Sequence, residues 1–418
     1  MNPIETHPPI AANRPDRRAF LLGGAAAATA LTLPRVTFAA ATSSAVDSLV
    51  LVFLRGGMDA LSFCSPYADP NLQSARPGIA MPGPGLPNGV LYLDSFFGLH
   101  PQAAPLMAAY QSGQLLIVHA SGSPASSRSH FEAQNRMESG ASSQPGLGLS
   151  TGWVARHLAV QSGAGVLRGM GTSDTLTRAL TGSTGVLPIR QPGQFRMPGA
   201  TGTAYARRVA LDGMYQQASA ELASAGRDTF ATIDLLGSID FQNYAPSGGA
   251  SYPATPFGAQ FQDTAALLKA NVGVRCVEID LHGWDHHTNL GAIGGSFAAL
   301  TSELAQTLAA FRTDMGGAFG GVDVVVMTEF GRRVAPNGNL GLDHGRGGCM
   351  ILMGGGVAGG RVLTQWPGLA PSQLHDGDLA ITIDYRDVLG EMLVRRFGCT
   401  NLPDVFPGYT PQFRGVAL

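Results

Sequence analysis

The chain predicts an α/β protein with a mostly parallel central sheet sandwiched by helices. Three observations predict it. Apolar runs recur that do not alternate with polar residues, each ends in a polar or glycine-rich stretch, and helical periodicity fills the intervals. Strands without alternation are buried on both faces, as in a parallel sheet covered by helices. In order, Ser48–Leu54 (SLVLVFL) is the first such run and ends in Arg55-Gly56-Gly57-Met58-Asp59. Gln114–Ala120 (QLLIVHA) is the second, followed by a Ser/Gly/Pro loop and a helical His130–Glu138. Val274–Leu281 and Val322–Thr328 follow, and Cys349–Met353 is a shorter run. Gly291–Thr313, Asp384–Phe397 and Ala204–Gly226 have helical periodicity. Leu187–Pro198 and Asn243–Phe257, rich in Pro, Gly, Ser and Tyr, read as long loops. No repeat or linker divides the chain, so residues 46–418 are expected to form one domain with a loop-rich insertion around 170–260.

Composition narrows the class. Of 418 residues, 44% are hydrophobic and 13% charged, enough for a sizeable core. The net charge is -2 and Lys269 is the sole lysine, which excludes a cationic nucleic-acid surface and leaves one candidate for Schiff-base chemistry. Cys64, Cys276, Cys349 and Cys399 form no CxxC pair, which argues against a thiolate zinc site. At the start, Asp16-Arg17-Arg18 precedes a short apolar run, GGAAAATALTLP, and small residues close it at Ala39-Ala40-Ala41. Residues 1–41 thus read as a twin-arginine signal peptide, which implies handling by the twin-arginine translocation machinery and a periplasmic or secreted destination. The run is too short and too rich in Ala and Gly for a stable membrane span.

Ligands of an open parallel sheet bind beyond the carboxyl ends of its strands, and there the reactive side chains gather. Asp59 follows the first strand, and Ser129 and His130 follow the second. The stretch LHGWDHHTN places His282, Asp285, His286 and His287 after the Val274–Leu281 strand. Glu329 follows Val322–Thr328, and Asp343-His344 lies in the glycine-rich NGNLGLDHGRGG. Each segment alone fits a capped or solvated loop. Their convergence on one sheet edge predicts a divalent metal, because carboxylates and neutral imidazoles are its ligands. Asp285 and His287 are the ligands expected from LHGWDHHTN, with His282 and His286 behind them or at the surface.

Ser129 has two readings. With Glu132 three residues on, it is an N-cap in a capping box. A hydroxyl at a helix N-terminus also sits in a positive field that stabilises an alkoxide, so Ser129 is a candidate nucleophile, with Ser127 in reserve. Arg128 beside it is a candidate for holding an anionic oxygen.

The blocks VFLRGGMDALS, FFGLHPQAAPL, SRSHFEAQNRMESG, GWDHHTN, TEFGRRVAPNG, LDHGRGGCMILMGGGVAGGRV and DYRDVLGEML resemble, in this order, the domain-of-unknown-function 1501 family. That family is grouped with the alkaline phosphatase and sulfatase superfamily. The resemblance implies a metal held by Asp59, by Asp285 and His287 with His344, and by Glu329 and Asp343, one or two divalent ions with zinc foremost. It implies Ser129 as nucleophile and Arg55, Arg128 or Arg332 as anion clamps, while Arg333 reads as a solvated loop residue. TEFG offers one carboxylate where alkaline phosphatases have an Asp-His pair, which weakens a second metal. GGMDA and the central His286 are smaller departures that remove no ligand. The implied activity is hydrolysis of a phosphate or sulfate ester of a small molecule or polymer outside the cytoplasm. No CxPSR block for formylglycine is present, so phosphate is preferred. The alternative is a secreted, metal-stabilised binding or surface-assembly protein in which Ser129 is only a helix cap.

Overall fold

The computed structural model describes residues 47–418 apart from 126, 142–147, 162 and 164; the twin-arginine segment and Ser126 lie outside the described residues. Nine strands form the main sheet: β1 (Ser48–Arg55), β2 (Leu115–Gly122), β3 (Gly169–Gly171), β4 (Val186–Pro188), β5 (Cys276–His282), β6 (Val322–Thr328), β7 (Gly348–Gly354), β8 (Arg361–Leu363) and β9 (Ile383–Asp384). They lie in the order β8-β2-β7-β6-β1-β5-β3-β4, and β9 pairs with β2 beyond β8. Every described pairing of this sheet is parallel except those of β7, which runs antiparallel to both β2 and β6. The fold is therefore a mixed, mostly parallel sheet flanked by helices, an α/β fold.

The pleat explains why the strands read as continuous apolar runs. Successive side chains of a strand point to opposite faces. Val50, Val52 and Leu54 of β1 enter one core layer, with Phe257 and Phe261 of the helix Pro256–Lys269 and Phe297, Leu304 and Phe311 of Ser296–Met315. Leu49, Leu51 and Phe53 enter the other, with Trp153 and Leu158 of Trp153–Val160 and Val388, Met392 and Leu393 of Tyr385–Arg395. Both faces are covered, so no polar alternation survives.

The helical stretch from residue 204 differs from expectation. It forms two helices, Ala204–Gln216 and Ala220–Gly237, because Ser219 caps the second by accepting from the Leu222 N–H at 3.4 Å. The Asn243–Phe257 stretch ends earlier than read, since Pro256 opens a helix in which its missing N–H costs nothing. Asp314 ties down the remaining loop, accepting from both the Tyr244 and Tyr252 hydroxyls at 2.9 Å and from the Ser247 N–H at 2.7 Å. All four cysteines are buried and free.

Candidate metal centre

The direction of β7 brings the site together. Strands β1, β2, β5 and β6 finish at one edge, and because β7 runs against them it starts there, Gly348 lying opposite Ser121. The loop before β7 therefore carries Asp343 and His344 to the edge that receives the loops after β1, β2, β5 and β6. Close approach between loops demands glycine, as at Gly56 and Gly341. A Cβ on Gly56 would lie 2.5 Å from the Asp285 backbone nitrogen, and one on Gly341 2.1 Å from the His287 carbonyl carbon.

At the centre is the half-exposed Asp285 carboxylate, and three imidazoles face it. The Nε2 atoms of His130, His287 and His344 lie 3.4, 3.1 and 3.3 Å from its oxygens. Each imidazole is held from behind through Nδ1. His130 donates to Glu329 Oε1 at 2.8 Å, His287 to Asp343 Oδ1 at 3.2 Å, and His344 to the Arg128 carbonyl at 2.6 Å. Carboxylate and carbonyl oxygens only accept, so these bonds fix the proton on Nδ1 and leave a lone pair on Nε2 of each neutral ring. Three lone pairs then converge on an anion. The His287 and His344 Nε2 atoms are 2.8 Å apart, and His130 Nε2 is buried with no hydrogen-bond partner. Only a proton or a cation between them stabilises such a set. Ligating histidines generally donate their other ring N–H in this way, which orients the lone pair toward the ion. Atoms of His130, Asp285 and His344 all lie within 4.8 Å of one another, a possible His/Asp/His metal site.

Charge around the centre is graded. The Glu329 hydrogen bond holds the His130 pKa above its ordinary value. Burial lowers that of His344. Burial acts to raise the Asp285 carboxyl, but the Arg332 hydrogen bond and charge, with the histidines, keep it below the usual range. Arg332 is itself buried. It donates to the Gly57 carbonyl at 2.7 Å, to Leu342 at 2.9 Å, to Gly56, and to Asp285 at 2.6 Å, so it braces the loops rather than facing a ligand.

The other sequence-derived residues take different positions. Glu329 is fully buried, accepting from the Gly56 N–H, His130 and Gln134; it stands behind His130 instead of among the converging atoms. Asp343 stands likewise behind His287 and also accepts from Asn337 at 3.1 Å. Asp59 is sealed in a buried ion pair with Arg76. Arg55 gives three of its donors to other carboxylates: Glu138 takes two at 3.0 Å and Asp280 a third at 2.8 Å. His286 points inward against Phe297, 5.9 Å between ring centres, and His282 is exposed.

Ser129 precedes the helix His130–Ser139, but its hydroxyl makes no cap bond. The expected capping box does not form because Glu132 accepts instead from Ser127 Oγ at 2.8 Å and Arg136 at 2.7 Å. The Ser129 hydroxyl is exposed and has no hydrogen-bond partner among the described residues, one position before His130. Arg128 pairs with the buried Asp378 at 2.6 Å, and Arg346 and Arg333 approach the same carboxylate at 3.7 and 3.9 Å. Arg346 also approaches the Asp376 carboxylate at 3.6 Å, so three guanidinium groups share two carboxylates and one positive charge is left in excess in this cluster. His130 is the residue that sequence reasoning passed over as a ligand. Its signal was the imidazole at the first helical position after a strand end.

Comparison with known proteins places the chain in context. The family model described as "Protein of unknown function (DUF1501)" matches residues 46–404. No curated protein matches the chain. Among solved structures, the PsFucS1 sulfatase from Pseudoalteromonas sp. is 11% identical, with 89% of this chain and 73% of that one covered at a TM-score of 0.39. The C-terminal periplasmic domain of EcEptC from Escherichia coli, in complex with Zn, is 8% identical over 74% of this chain and 73% of that one, TM-score 0.32. The phosphonate monoester hydrolase of Agrobacterium radiobacter is 10% identical over 88% and 79%, TM-score 0.31.

Proposed function

The chain belongs to the DUF1501 family, and from that premise we propose that it is an exported metal-dependent hydrolase of phosphate esters, with sulfate esters second. One observation carries the reading: three imidazoles, each with its Nδ1 proton committed to a fixed acceptor, turn Nε2 toward one carboxylate. His130, His344 and Asp285 would hold the ion, with His287 as the fourth donor. Nitrogen donors with one carboxylate favour zinc. A single ion suits the donor set, because Asp59 is neutralised by Arg76 and Glu329 already accepts from the Gly56 N–H, His130, Gln134 and Thr328. A bound divalent ion supplies Lewis-acid polarisation of the ester's non-bridging oxygens.

The chain's own groups supply the rest. The excess charge of Arg128, Arg333 and Arg346 draws an anionic ester to the edge of the sheet. The free Ser129 hydroxyl, at the positive end of its helix, attacks phosphorus, and the alcohol leaves with the proton. Water then cleaves the phosphoserine to release phosphate and restore the hydroxyl. No helix among the described residues is long and apolar enough to cross a membrane. Delivery through a twin-arginine signal to the periplasm or beyond is part of the same proposal.

The test is elemental analysis of the exported protein with a panel of aryl phosphate, phosphodiester and aryl sulfate substrates. One stoichiometric divalent ion and turnover of a phosphate ester are expected. Ser129→Ala should lower turnover by about 10³-fold or more and keep the metal. Absence of the ion sinks the metal site. Bound metal with no turnover of any ester identifies instead a metal-stabilised binding protein.

A further inference from the structure

A second cavity lies on the same side of the sheet, beyond the short strands β3 and β4. Its volume is about 400 Å³, in the range of small-molecule sites. It opens where β4 ends, and it reaches the first turns of the helix Pro256–Lys269. Gln260 of that helix donates to the carbonyl of Thr172, the residue after β3, at 2.9 Å, which fixes the helix start at the carboxyl end of the strands. That is the edge where open parallel sheets receive ligands.

Four amide residues, Gln191, Gln194, Gln242 and Gln260, line the cavity with Phe241 and Asp263. The side chains of Gln191, Gln194 and Gln242 have no hydrogen-bond partner among the described residues, and Gln260 keeps its oxygen free. Asp263 also lacks a partner, and burial pushes its pKa up to about 6. Arg190 at the rim is neutralised by Asp174, bonded through Nε at 2.8 Å.

This set excludes most ligand classes. An anion meets Asp263 with no uncommitted cation to hold it. A metal cation finds a single carboxylate beside neutral amide oxygens, short of the negative charge a divalent site gathers. A purely apolar molecule would desolvate four amides and replace none of their hydrogen bonds with water. A hydroxyl both donates and accepts, as a primary amide does, and a sugar ring offers a C–H face to an aromatic side chain. We propose that this cavity binds a neutral, hydroxyl-rich ligand of mono- or disaccharide size. Binding there is independent of the metal centre.

Saturation-transfer NMR on the exported protein, with and without EDTA, tests this. The probes are glucose, galactose, N-acetylglucosamine, maltose, cellobiose and lactose, with choline and inorganic phosphate as charged controls. At least one neutral sugar should show transfer that EDTA leaves unchanged. The double variant Gln194→Ala/Gln242→Ala changes two exposed side chains, so folding is preserved, and affinity should fall about tenfold or more. Silence from all six sugars overturns the assignment, as does equal binding by the double variant. Phosphate transfer should vanish with EDTA, as the metal centre requires; choline or phosphate transfer that survives EDTA and is lost in the double variant overturns the neutral-ligand assignment.

Discussion

Asp59 and Asp285 follow neighbouring parallel strands, each within four residues of the strand end, yet their surroundings are opposite. Asp59 is 2% exposed and its carboxylate is matched by the equally buried Arg76, which also donates to Ser62 and to the Val334 carbonyl. Asp285 is 44% exposed at its side chain and is faced by three imidazoles whose lone pairs point at it. The first carboxylate has its counter-ion built in, supplied by the chain and sealed from water. The second has only Arg332 on one oxygen, against three further donors that a neutral protein leaves unmatched. What separates a structural ion pair from a ligand site is therefore where the cation comes from, and not the carboxylate.

Removing each carboxylate in turn should break or establish this contrast, and here the largest effect is expected. Asp59→Ala leaves the Arg76 guanidinium buried and unpaired, which costs about 3–5 kcal/mol. Asp285→Ala in chelator-treated protein removes a half-exposed carboxylate but takes from the buried Arg332 its carboxylate partner; Arg332 keeps the Gly57 and Leu342 carbonyls, so the loss should be smaller, about 1–2 kcal/mol. Urea unfolding in EDTA measures both. Equal losses would mean that Asp285 is as structural as Asp59, and the open site would lose its distinction.

The supports behind the imidazoles sharpen the same contrast at a smaller scale. Glu329→Ala and Asp343→Ala each free one Nδ1 proton and one ring orientation. Zinc affinity should weaken about 10- to 100-fold in either variant. Glu138→Gln, which disturbs the Arg55 ion pairs instead, should leave zinc affinity unchanged. Competition with a chromophoric chelator reads all three. A drop only for Glu138→Gln would move the metal to the wrong cluster.

Much of this is legible in the sequence, for identifiable reasons. The apolar runs at Ser48–Leu54 and Val322–Thr328 predicted buried parallel strands because burial on both faces removes polar alternation, and those strands form the middle of the sheet. The gathering of Asp285, His287 and His344 at one edge followed from ligands lying beyond strand ends. The partners of Asp59 and Arg55 were not legible. Arg76 reaches Asp59 from the short helix Leu72–Ala75 and its end, and Glu138 reaches Arg55 from the end of a separate helix. A sequence shows that a carboxylate sits at a strand end; it does not show which arginine arrives there first. His130 was missed for a related reason, since its lone pair is freed only by Glu329, 199 positions away. The antiparallel direction of β7 was also invisible to periodicity, although it alone explains why a loop before a strand meets loops after strands.

Asp263 completes the series as a carboxylate with neither arginine nor imidazole, and it yields the smallest effect. Burial raises its folded pKa to about 6, above the ordinary value of 3.8. Well below pH 3.8 the carboxyl is protonated in both folded and unfolded chains, so it carries no penalty. As pH rises from about 4 to 6 the unfolded chain ionises first, and folding loses stability until the folded group ionises as well. Above about pH 6 the loss is constant. Two units correspond to about 3 kcal/mol for a group cut off from water, but Asp263 faces an open cavity, and solvent screening reduces this to about 1 kcal/mol. Asp263→Asn removes the charge and keeps the shape. It should therefore raise the thermal midpoint at pH 7.5 and raise it much less at pH 4, where only the first part of the penalty has set in. A gain of equal size at both values would place the effect in packing instead, and the carboxyl would then be paired in a way that its surroundings do not provide.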